Sequence, residues 1–147
     1  MTMTRHQTRE KAFQTLFALA GNPEADMASL YDDVMEDVAP DNAEDEKASL
    51  PDYLITLVNG VLEYKAELEV MISQHLADGW TFARLAKADR VILEIAFFEL
   101  NYGDAANTPA KVVVDEALNL AKTFSDESSR KFINAVLDKA LHENIAE

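Results

Sequence analysis

The chain contains no cysteine, which removes disulfides, thiolate metal ligands and cysteine nucleophiles from consideration together. Glycine and proline are also scarce, four of each in 147 residues. Most sit where helices would begin or end, a punctuation that favours an all-α fold. No run of about 18 apolar residues occurs, so no segment is expected to span a membrane. Met1 to Glu10 carries two arginines but lacks the apolar stretch that a secretory signal places behind its charges. A cytoplasmic protein is therefore expected. Basic residues are few: 13 against 27 acidic, for a net charge of -14.

The charge is unevenly distributed. Between Glu24 and Asp52 stand 11 acidic residues with Lys47 as the sole cation, whereas Met1 to Ala20 carries Arg5, Arg9 and Lys11 against Glu10. A chain with an acidic lobe and a basic N-terminus can still present a local positive face to a polyanion. With 48% apolar and 27% charged residues the composition is that of an ordinary globular protein. Its length suits a single all-helical domain spanning 1–147.

Helical periodicity organises most of the chain. Thr4 and Gln7 form a capping-box pattern ahead of Phe13, Leu16, Phe17 and Ala20, with Gly21 ending the run. Met27, Leu30, Tyr31, Val34, Met35 and Val38 make the apolar stripe of a shorter second helix. Pro40 to Ser49 reads as a loop whose acidic run, Asp41 to Glu46, is a solvated connector. Ser49 is a candidate cap, with Pro51 in the first turn of the next helix. The apolar row from Leu54 to His75 is too long for one unbroken helix, so a break is placed between Tyr64 and Glu67. Gly60 lies inside this row, where glycine costs about 1 kcal/mol relative to alanine; close approach of another helix is the expected compensation. After a turn at Asp78-Gly79-Trp80, Ala88 to Tyr102 is apolar on almost every side, as a helix surrounded by others must be. Thr108-Pro109 opens the next helix, through Val112, Val113, Ala117, Leu120 and Ala121 to Phe124. A last helix carries Ile133, Val136, Leu137, Ala140 and Leu141, capped by Ser125, Asp126 or Ser128. The expected fold is a compact all-α bundle of about seven helices.

Little of this points to catalysis. His6, His75 and His142 lie in separate segments and form no HExxH-like arrangement, so no metal site is expected. Glycine-rich phosphate loops and nucleophile elbows are absent. Asp115-Glu116 and Asp126-Glu127 are sequence neighbours, which point to different sides of a helix instead of facing one another as acid/base catalysis requires. The expectation is a binding protein, not an enzyme, with no cofactor. Two basic clusters are the candidates. Arg5 and Arg9, four apart, share a helix face that continues toward Phe13; the plainer alternative is a pair of solvated helix-end charges. Arg130 and Lys131 fall in the first turn of the last helix, where free N–H groups and the helix dipole favour an anion such as phosphate. Phe132 beside them is either a core residue or a stacking surface for an unpaired base.

Four blocks in order, Arg5 to Leu19 (RHQTREKAFQTLFAL), Asp89 to Leu100 (DRVILEIAFFEL), Pro109 to Phe124 (PAKVVVDEALNLAKTF) and Ser128 to Lys139 (SSRKFINAVLDK), resemble the NusB family of bacterial transcription antitermination factors. The resemblance implies an all-helical bundle that binds the boxA segment of nascent ribosomal-RNA transcripts. It also implies a protein partner, the small-subunit ribosomal protein called NusE, within an RNA polymerase antitermination complex. Carried over by position, it places RNA-binding residues at Arg5, Arg9, Arg130, Lys131 and Phe132, and an acidic partner-facing position at Asp89. His6, Gln7 and Thr8 stand where many members carry arginines, and Glu94 where a basic residue is frequent. Since each phosphate contact contributes to affinity through counterion release, the thinner arginine cluster implies weak RNA binding alone and a basic partner that completes the site.

Two other readings remain at this point. One is a protein-binding helical adaptor without RNA contact. The other is an isolated NusB-like module of a ribosomal-RNA methyltransferase, for which no cofactor-binding domain follows in the chain. The apolar rows also fit intramolecular packing and a homodimer equally well.

Overall fold

The computed structural model describes residues 3–104 and 106–146. Seven α-helices and one 3-10 turn make up its regular structure, with no strand among the described residues. They are α1 (Arg5–Gly21), α2 (Met27–Val34), α3 (Asp52–Glu63), α4 (Lys65–Ser73), a 3-10 turn (Phe82–Arg84), α5 (Lys87–Tyr102), α6 (Ala110–Phe124) and α7 (Glu127–Ala146). Contacts group the chain into two units, Met1–Asn59 and Gly60–Glu147, so the boundary falls within α3.

In the first unit, α1 starts as the capping box requires. The Thr4 hydroxyl accepts from the Gln7 N–H at 3.0 Å, and the Gln7 side chain accepts from the Thr4 N–H at 2.9 Å. Two of the orphan donors of the helix start are thereby satisfied. Ala12, Phe13 and Leu16 are buried. Thr8 and Thr15, also buried, return their hydroxyls to the carbonyls of Thr4 and Lys11 four residues back, which meets their hydrogen-bonding need without a tertiary partner. Phe17, expected on the same stripe, is 40% exposed and stacks on Phe13. α1 packs against α2. That helix is capped by Asp26 and stops at Val34, short of the expected Val38, because Met35 turns out of helical geometry at φ -93, ψ 0. Pro51 sits just before α3, and its carbonyl accepts the N–H groups of Leu54 and Ile55.

In the second unit, α5 packs against α4, α6 and α7, and everything from Val91 to Glu99 is buried. This matches a helix apolar on all sides, each large apolar side chain contributing about 1.5–3 kcal/mol on burial. The long apolar row does break, at Tyr64 (φ -100, ψ 17), whose ring stacks on Tyr102 at 4.0 Å. Gly60 has the close neighbour its position demanded: a Cβ there would collide with the Phe98 ring of α5. α6 follows Pro109 directly, and α7 buries Ile133, Val136, Leu137 and Ala140. Its cap, left open among three residues, is Asp126, whose carboxylate accepts from the Ser129 N–H at 2.8 Å.

Candidate nucleic-acid interface

The five residues proposed for RNA contact fall into both units: Arg5 and Arg9 in the first, Arg130, Lys131 and Phe132 in the second. On α1 the four-residue spacing brings both arginines to one ring. The Arg5 guanidinium lies 3.6 Å from the centroid of Tyr53 and that of Arg9 lies 5.9 Å from it. The two differ in depth. Arg5 is exposed, whereas Arg9 retains 3% exposure. In this conformation Arg9 offers almost no surface to a phosphate, and its place is in holding α1 against its surroundings. Lys11 is turned inward as well, its ammonium donating to Asp37 at 2.6 Å. That hydrogen bond holds the Asp37 carboxyl below its ordinary value. The first turn of α1 contains no acidic residue, so the charge of Arg5 and the helix dipole act together there. His6 lies 3.7 Å from Glu10 one turn on.

The start of α7 is organised differently. Of its N–H groups, expected to be open to an anion, that of Ser129 meets the protein's own carboxylate at Asp126, and Glu127 adds a second negative charge in the first turn. Glu127 also grips Arg130 through two parallel contacts, Nη2 to Oε1 at 2.6 Å and Nε to Oε2 at 3.0 Å. The hydrogen bond to Arg130 lowers the Glu127 pKa and raises that of Arg130. A phosphate that takes the Nε and Nη2 edge of this guanidinium would have to displace Glu127 from it. Lys131 is exposed and Phe132 half-buried.

Asp89 does not present an open acidic surface. It is 7% exposed at the start of α5 and accepts from the Ser129 hydroxyl at 3.1 Å and, at 3.5 Å, from that of Ser125. Desolvation raises its pKa, against the lowering effect of the two serines. The residue ties the start of α5 to the start of α7. Glu94, deeper in α5, is 6% exposed, and burial raises its pKa despite the nearby charges of Lys65 and Arg90.

Three further side chains belong to these surfaces and were not singled out from the sequence. Tyr53 carries the Arg5 contact, and nothing in a local pattern links residues 48 apart in the chain. Trp80, read only as part of a turn, is 47% exposed and lies 5.8 Å from Phe132, the rings tilted by 43°. Arg84 reaches back to that turn, donating to the Gly79 carbonyl at 2.8 Å with its guanidinium 5.2 Å from the Trp80 ring. A lone tryptophan beside a glycine turn, with an arginine four residues on, was the available signal.

Comparison with known proteins covers nearly the whole chain. A model of the NusB family matches residues 6–142. The transcription antitermination protein NusB of Levilactobacillus brevis is 52% identical over 141 residues, 96% of this chain and 94% of that one. Among solved structures, NusB of T. maritima superposes with a TM-score of 0.78 at 27% identity, covering 97% of this chain and 94% of that one. A chain from a complex of the antitermination factors NusB and NusE with double-stranded RNA has the same fold, with a TM-score of 0.75 at 24% identity, covering 95% and 96%.

Proposed function

The chain belongs to the NusB family, and from that premise we propose that it is a transcription antitermination factor. In this reading it binds boxA RNA of nascent ribosomal-RNA transcripts together with NusE, the small-subunit ribosomal protein, as part of an RNA polymerase antitermination complex. It acts in the cytoplasm as a binding protein without catalytic activity or cofactor, and residues 1–147 serve as one RNA-binding domain. No helix among the described residues is long and apolar enough to cross a membrane.

The observation that carries the proposal is the exposed Lys131 beside the half-buried Phe132, within a chain that matches the family almost end to end. Arg5 and Lys131 supply the solvent-facing charge, Phe132 a ring for base contact, and Arg130 a guanidinium released when phosphate displaces Glu127. Arg9 is a positioning residue behind Arg5. Asp89 lies on the partner side and acts through the serines it holds.

Thirteen cations against 27 acidic residues, for a net charge of -14, favour weak RNA binding alone and a basic partner that adds positive charge, making a composite site. The test is a titration of boxA RNA with and without the ribosomal protein at two salt concentrations. Tighter binding in its presence is expected, and equal affinities would sink the composite site. If changing Lys131 and Phe132 to alanine leaves RNA binding unaltered while the partner still binds, the protein is an adaptor that does not use this surface.

A further inference from the structure

We propose that Trp80, Phe132 and Arg84 form a stacking platform that takes one unpaired nucleobase of single-stranded RNA; the proposal rests on the RNA-binding reading above and adds Trp80 and Arg84 to its site. Trp80 leaves nearly half of a large aromatic side chain in water, so burial alone does not account for its placement. It is nonetheless held firmly. Gly79 takes a positive φ of 87, which suits glycine. The Trp80 N–H donates to the Ala77 carbonyl at 3.1 Å, closing the turn, and Arg84 fastens it from the other side through the Gly79 carbonyl. A ring presented on a braced turn loses little freedom on meeting a ligand.

The chemistry around it selects the ligand. Trp80 and Phe132 stand at 43° to each other, so neither ring closes flat over the other. A planar, uncharged group fits against such a surface. The positive charge of Arg84 lies 5.2 Å from the Trp80 centroid, and Lys131 precedes Phe132 in the chain, exposed. A flat π-face flanked by cations is what a base with its adjoining phosphates requires. Duplex RNA hides its base faces in the stack, so the ligand is single-stranded.

Trp80 is the sole tryptophan of the chain, so emission excited at the red edge, where tyrosine does not absorb, reports on this platform alone. Full-length protein is titrated with unlabelled single-stranded boxA RNA while emission is followed. In parallel, the same RNA carrying fluorescein is followed by anisotropy. Quenching along the same binding curve is expected. Saturating anisotropy with unchanged emission would overturn the platform and leave the RNA-binding reading standing, whereas no anisotropy change even with the ribosomal protein added would overturn both. Trp80→Ala is expected to weaken binding about tenfold, the order of one lost base stack, and Trp80→Phe to retain most of the affinity. The phenylalanine variant also guards against misfolding of the alanine one. Wild-type affinity in a folded Trp80→Ala protein would overturn the platform. So would quenching by the ribosomal protein alone with no further change on adding RNA, since the ring would then be a protein contact.

Discussion

The starts of α1 and α7 look alike in sequence and differ in charge. Each has two basic residues near a polar cap. α1 uses neutral groups, the Thr4 hydroxyl and the Gln7 amide, and has no acidic residue in its first turn. α7 is closed by its own anions: Asp126 caps it, Glu127 holds Arg130, and Asp89 takes the Ser129 hydroxyl. The positive end of one helix has no acidic side chain in its first turn, while that of the other is offset by two carboxylates. Counting basic residues near a helix start therefore measures the field poorly until the capping groups are known.

The sharpest way to test this contrast is to separate Arg9 from Arg5. Arg9→Ala removes a long buried side chain and is expected to cost about 2 kcal/mol or more in a denaturant titration. Arg5→Ala should cost less than about 1 kcal/mol, the scale of an exposed cation–π contact, yet weaken RNA binding and reduce its salt slope by ~0.7, one phosphate contact on a single strand. Equal stability losses in the two variants would erase the distinction between support and contact. On α7, removing the carboxylate that occupies Arg130 is predicted to help. Glu127→Gln should tighten RNA binding severalfold at low salt and steepen the salt slope, and a weaker complex would mean that the pair itself is the recognised form.

The cap comes next. Asp126→Ala is expected to lower stability by about 1 kcal/mol and Asp126→Asn by much less, since asparagine caps nearly as well; calorimetry distinguishes a hydrogen-bonding role from a purely charge-based one. The smallest effect concerns pH. Burial raises Glu94 above its usual 4.5 and Asp89 above 3.8, so the folded state binds these protons more tightly than the unfolded chain. The stability they contribute is complete below those unfolded values and is lost as pH rises through the folded ones. Glu94→Gln should accordingly raise the urea midpoint at neutral pH and flatten its decline above pH ~4. An unchanged slope would show that Glu94 is not among the groups responsible.

Much of the fold was legible because its signals are local. The Thr4–Gln7 box, the break at Tyr64 and the all-round burial of α5 each follow from residues within one or two turns. Gly60 went further, since an apparently costly glycine implied a neighbour before Phe98 was known to be it. The site was less legible. Spacing places Arg5 and Arg9 on one face but says nothing of depth, and Arg9 is buried. Likewise, Arg130 and Lys131 are adjacent, yet Glu127 engages only the former through hydrogen bonds. The pairing of Trp80 with Phe132 joins residues 52 apart, a separation over which no periodicity carries information.

Asp89 has a consequence for time as well as for place. In the second unit each helix from α4 to α7 packs on the next one along the chain, and such short-range topology favours rapid assembly. The bond from Asp89 to Ser129 spans 40 residues and requires the intervening loop to close first. A link of this kind belongs late on the folding route. Its loss is then expected to act on the rate of opening, so that Asp89→Asn should speed unfolding more than it slows folding.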